Sequence, residues 1–121
     1  MSIAAAQAAK FYEQVAREGK VFTFQDELGH LVFRGTEGDA VPFWSSRSRL
    51  ETIQKRIPRY RKFRIVEEAL AHFLDETMSM LARENVHVGV NWSGATLKGY
   101  DISVDDLRRN IGYWIERLQR P

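Results

Sequence analysis

The side chains best suited to chemistry in this chain are three histidines and a dense run of arginines and lysines. Glu68, His72 and Glu76 are spaced i, i+4, i+8, which on a helix stacks a carboxylate, an imidazole and a second carboxylate along one face. Such a ladder could ligate a metal or share a proton. Asp75, Ser79 and Arg83 fall on the same side, opposite the apolar stripe, so a solvated charged face accounts for it. His30 stands beside a turn, and His87 lies on the non-core face of an alternating strand. Neither has a sequence-adjacent acid or nucleophile. An enzyme would therefore need groups that converge only in space, for example His87 and Asn91 beside His30. Ser45 and Ser46 are not set in a G-x-S-x-G elbow and read instead as caps of the helix that follows. The eight glycines are scattered and form no phosphate-binding loop. The expectation is a non-enzyme with no metal and no cofactor.

The basic run is the strongest feature outside the expected core. Arg47, Arg49, Lys55, Arg56, Arg59, Arg61, Lys62 and Arg64 are opposed by the single acid Glu51. That segment carries +7, which in a chain of net charge +2 leaves −5 for the remainder. Tyr60 and Phe63 are interleaved with the cations, where they could stack on bases or anchor a partner. Trp44, at the end of a strand, could stand at the rim of a groove. The candidate partner-binding residues are thus Trp44, Arg49, Arg56, Arg59, Tyr60, Arg61, Lys62 and Phe63. Three readings stay open: a solvated or internally paired surface, a docking site for an acidic protein, or a nucleic-acid contact whose affinity would fall steeply with salt. The leading function is a non-enzymatic protein-interaction module, with a nucleic-acid-binding domain and an undetected enzyme as alternatives.

The elements that must position these residues are legible from periodicity. A chain of 121 residues, 44% apolar and without cysteine, suits one domain that holds its core without disulfides or thiolate metal sites. The N-terminus lacks a basic start followed by an apolar block, and no apolar run reaches membrane-spanning length. A cytoplasmic protein with no membrane partner is the expectation. Alanines favour a first helix over residues 3–18, stopped by Gly19. VFTFQ, HLVF and AVPFW predict a three-stranded antiparallel meander, with Pro42 at an edge or with its nitrogen facing outward. A short helix with Leu50, Ile53 and Ile57 on one face follows, closed by Pro58. Val66, Leu70, Phe73, Leu74, Thr77 and Leu81 predict a long helix over 66–84. In residues 86–92 the valines and Trp92 share one face, His87, Gly89 and Asn91 the other. A further short strand is expected within 95–102. Ser103 should cap a last helix that buries Leu107, Ile111, Trp114, Ile115 and Leu118. The predicted fold is α+β: an antiparallel sheet of four to five strands and about four helices, the long and terminal helices covering one face. A homodimer through a sheet edge is compatible with this pattern.

Two blocks, AVPFWSSRSRLETI and VHVGVNWSG, resemble a family of small bacterial proteins catalogued as a domain of unknown function. The order of elements matches over nearly the whole chain. The resemblance implies a bacterial, cytoplasmic, stand-alone domain, and supplies no catalytic residues to carry over. The Pro42-Phe43-Trp44-Ser45-Ser46 strand-to-helix block is more distantly similar to small domains linked to secretion systems and toxin–immunity pairs. The dense basic run at 55–64 is not part of the pattern that carries the resemblance.

Overall fold

The structure, a computed structural model, describes residues 2–120. Helix α1 (Ile3–Glu18) is capped by Ser2, whose hydroxyl accepts from the Ala5 N–H, and ends at Gly19 in the left-handed conformation. Strands β1 (Lys20–Asp26) and β2 (Gly29–His30) form one hairpin, β3 (Phe33–Gly35) and β4 (Gly38–Phe43) a second. Helix α2 (Arg47–Arg56) and a 3₁₀ turn (Pro58–Lys62) lead into β5 (Arg64–Ala69). A continuous helical rod then runs through α3 (Leu70–His72), a π-helical turn (Phe73–Thr77) and α4 (Met78–Arg83). Strands β6 (His87–Val90) and β7 (Asp101–Ile102) precede α5 (Val104–Gln119), which is capped by Ser103 as expected.

The α+β class holds, but the strands divide between two sheets. One has the order β2-β1-β5, the other β3-β4-β6-β7, and a Phe22–Trp44 bridge joins them. All pairs are antiparallel except β4–β6, which is parallel. Pro42 sits at the junction. Trp44 N–H donates to the Phe22 carbonyl, so by alternation the Pro42 nitrogen points the same way, beyond the last β3 pairing at Ala40. No ladder bond is required there, and the Thr23 hydroxyl donates to the Pro42 carbonyl at 2.9 Å.

Alternation along the strands feeds two cores. Val21, Val41, Phe43, Val88 and Val90 face α1, α4 and α5, meeting Phe11, Phe73, Leu81, Leu107 and Ile111. Phe22, Phe24, Ala40 and Trp44 face the other way and are covered by Leu50, Ile53, Ile57 and Tyr60 from α2 and the 3₁₀ turn. The terminal helices and the rod therefore cover one face, as the periodicity predicts. The short helix closes the opposite face.

Three expectations are corrected. Val66 to Ala69 belong to β5 rather than to the long helix, because β1 pairs with this segment from Gln25↔Arg64 to Lys20↔Ala69. Residues of helical propensity are here captured by a strand whose own side chains are buried on both faces. Trp114 is only partly buried, beneath the Arg117 guanidinium, and Leu118 is exposed. Trp92 leaves the valine face. Asn91 adopts φ +50, which breaks the alternation and lays the indole over Gly89, in the second core.

Asn91 is fully buried, and its side chain accepts from the Ser45 N–H at 2.9 Å while donating to the Gln7 carbonyl at 3.2 Å. Asn91→Ala should cost about 2–4 kcal/mol, combining an orphaned buried donor with an unfavourable left-handed alanine. Asn91→Gly should recover about 1 kcal/mol of that loss. Urea unfolding of the three proteins checks the order, and equal midpoints for the native chain and Asn91→Ala would refute the role.

Candidate functional site

The basic segment wraps α2 and the 3₁₀ turn. Its shape is held by hydrogen bonds from its own polar side chains. Gln54 Nε2 donates to the carbonyls of Tyr60 and Phe63 at 3.2 and 3.0 Å, strapping the turn to the helix. Arg61 donates to the carbonyls of Gln54 and Lys55 at 2.7 and 3.1 Å, satisfying the exposed C-terminal end of α2. Tyr60 stacks on Phe24 with centroids 6.1 Å apart, and Phe63 leans on the same ring at 6.0 Å. Both aromatics point inward and are roofed by cations, Arg59 over Tyr60 at 5.1 Å and Lys62 over Phe63 at 5.4 Å.

These positions correct the aromatic part of the sequence reading. Trp44 is wholly buried, donating its indole N–H to the Trp92 carbonyl at 2.9 Å. Tyr60 is 4% exposed. Neither can stand at a groove rim or stack on a base, and Phe63 is largely occupied by its packing. The cations remain available. Among the described residues, ion pairs involve Glu13, Asp39, Glu68, Asp101, Asp106 and Glu116. None reaches Arg47, Arg49, Lys55, Arg56, Arg59, Arg61, Lys62 or Arg64. Internal pairing with the acidic remainder of the domain is thus not what this segment does.

Beside α2 lies a cleft of about 180 Å³. Its walls are Arg49 and Arg56, two helical turns apart, with Thr52 between them and Ser48 just before Arg49. Ile53, Ile57 and the edge of Trp92 make its apolar floor, and the Ser93–Gly94 turn closes the far side. Arg49 is half-buried and donates to Gln7 Oε1 at 2.7 Å, which fixes the guanidinium. Burial pushes its pKa down from the ordinary arginine value, yet a guanidinium stays charged in any protein setting. Arg49, Ile53 and Arg56 follow i, i+4, i+7 spacing along one stripe of α2. Ile53 therefore lies between the two arginines at the cleft floor, and Ile57 follows Arg56 at the end of the helix. Trp92, Ser93 and Gly94 were not anticipated here, since nothing local in the sequence says that the turn after β6 faces α2.

The other candidates disperse. Ser46 occupies the N-cap position of α2 without a side-chain cap bond, its hydroxyl instead meeting Ser48. Ser45 is fully buried; its hydroxyl donates to Gln14 Oε1 at 2.6 Å and accepts from Asn91 Nδ2 at 3.0 Å. Glu68 sits on β5, where it accepts from the Thr77 hydroxyl and lies 3.8 Å from His72 Nε2, while Glu76 is exposed on the rod. The carboxylate–imidazole–carboxylate ladder is therefore split between a strand and a helix. His87 meets Asp101 across the β6–β7 pair at 3.1 Å, on the surface. His30 lines a separate groove with Val86 and Met80, so His30, His87 and Asn91 do not share a site.

His30 packs on Phe43 and its Nε2 takes a hydrogen bond from Gln25 at 3.2 Å, which favours the neutral ring. Burial lowers its pKa, partly offset by the charge of Glu68. The unfolded chain then binds more protons than the native one below about pH 6.5, so stability falls as pH drops through that range. The urea midpoint should decline more steeply from pH 7.5 to 5 in the native sequence than in His30→Gln. Parallel declines would show that His30 does not carry the effect.

A search among curated proteins finds no match to this chain. A family model described as a protein of unknown function does match, over residues 8–111, a span that includes the basic segment, the cleft walls and the buried Ser45–Asn91 contact. The chain belongs to that family, DUF2750.

Proposed function

We propose that this domain is a non-enzymatic interaction module that docks an acidic protein through the basic face formed by α2 and the 3₁₀ turn. The observation that carries this reading is the set of eight cations from Arg47 to Arg64 that have no carboxylate partner among the described residues. A surface of this kind attracts anions and steers their approach. Two features favour a protein over a nucleic acid. The aromatics that would stack on bases are turned into the core, which removes the usual platform for single strands. The cleft also has an apolar floor beside its arginines, which suits a side chain rather than a phosphate backbone.

The test is a charge reversal at Arg56, Arg59 and Lys62, each to Glu. Arg61 is left intact because it also satisfies the end of α2. Fluorescence anisotropy with a labelled pentaglutamate peptide and with single- and double-stranded oligonucleotides separates the readings. Peptide binding at low salt should weaken by roughly tenfold or more in the triple variant. Oligonucleotide binding with a steep salt dependence, alongside no binding of the peptide, would overturn the proposal in favour of nucleic acid.

A further inference from the structure

The cleft between α2 and the Ser93–Gly94 turn has a composition that says more about its occupant than the basic face as a whole. Its volume, about 180 Å³, lies below the range of small-molecule and cofactor sites. It is of a size to receive a single apolar side chain from a partner. The floor is apolar, through Ile53, Ile57 and Trp92, while each end of the cleft carries an arginine. Arg49 spends one donor on Gln7 and keeps its remaining N–H groups free of any carboxylate. Arg56 and the Thr52 hydroxyl have no hydrogen-bond partner among the described residues.

Spacing then restricts the sequence that fits. Residues seven apart on a helix are separated by roughly 10 Å along the axis. In an extended peptide side chains alternate, so residues i−2, i and i+2 share one face, with i−2 and i+2 about 13 Å apart. Arginine side chains are long enough to close a difference of a few ångströms. A peptide whose central apolar side chain drops onto the floor would thus present the residues two before and two after it to Arg49 and Arg56. We infer that the cleft is the anchor point for a segment of the partner protein with an apolar residue flanked by acidic residues two positions to either side, with those carboxylates on Arg49 and Arg56 and the apolar side chain over Ile53, Ile57 and Trp92. This rests on the reading of the basic face as a protein-docking surface. Arg49, already immobilised by Gln7, loses little further freedom on binding, which favours it as one of the strong contacts.

The experiment compares two labelled peptides on the intact protein, Glu-Glu-Leu-Glu-Glu and pentaglutamate. If charge alone governed binding, pentaglutamate would bind at least as well, since it carries one more carboxylate. The cleft requires the leucine peptide to bind tighter by about fivefold or more, from the burial of one apolar side chain. Thr52→Trp, at an exposed helical position on the cleft wall, should fill the cleft and abolish that preference, bringing the leucine peptide to the affinity of pentaglutamate or below. Arg59→Gln, outside the cleft, should weaken both peptides alike. Equal or weaker binding of the leucine peptide, or a preference that survives Thr52→Trp, overturns the cleft and leaves the basic face standing. If neither peptide binds at low salt, the basic face itself fails, and the cleft with it.

Discussion

The buried side chain of Asn91 is the contact on which the arrangement around the cleft depends. It links three parts of the chain that have no reason in sequence to meet: α1 through the Gln7 carbonyl, the end of β4 through Ser45, and β6 through its own backbone. Its left-handed conformation, φ +50, suits asparagine better than most residues because the short amide can bond locally. The consequence reaches the next residue. Trp92 is turned off the valine face and lies so close over Gly89 that a Cβ there would stand 2.5 Å from the indole. Its indole N–H donates to the Tyr100 carbonyl at 2.8 Å and its own carbonyl receives the Trp44 indole. The floor of the cleft and the second core are thus tied to one polar contact.

Gln7 connects that contact to the surface. Its backbone carbonyl receives Asn91 and its side chain receives Arg49, so the same turn of α1 that holds the buried amide also aims a guanidinium. A half-buried arginine costs less when a neutral oxygen satisfies part of it and water or an anion can reach the rest. The remaining cations are spread over α2, the 3₁₀ turn and the start of β5, several lying over aromatic faces packed in or against the core. Packing and charge therefore share the same residues, with aromatic bodies inward and cationic roofs outward. A +7 segment on a domain whose remainder is −5 gives the molecule a strong charge asymmetry without a matching ion-pair network.

Much of the fold was legible because it follows local rules. The limits of α1 and α5 follow from caps and apolar spacing, those of α2 from apolar spacing and Pro58, and the Ser103 cap and the left-handed Gly19 sit where residue chemistry puts them. The basic face was legible for a similar reason, since charge density is a property of composition. What misled was any residue whose role is set by a distant neighbour. Glu67 and Glu68 favour helix by propensity, but β1 claims them as a strand. Asn91 sits at a polar position of an alternating run, yet it is buried, because its left-handed backbone breaks the alternation and its side chain meets the Gln7 carbonyl of α1 and the Ser45 N–H. Tyr60 and Phe63, flanked by cations, look available until Phe24 is seen to pack against both.

The order of residues was enough to establish the class of fold, the placement of most helices, the division of apolar residues between strand faces and the existence of a concentrated positive segment. These depend on spacings of a few residues and on composition. Folding in three dimensions settled which sheet each strand joins and which aromatics are hidden. It also settled that Arg49 and Arg56 flank an apolar floor closed by a turn from a distant part of the chain. The reason is physical. A residue's periodicity says which neighbours share its face, but its burial depends on what the rest of the chain lays against that face, and here the covering elements come from opposite ends of the molecule.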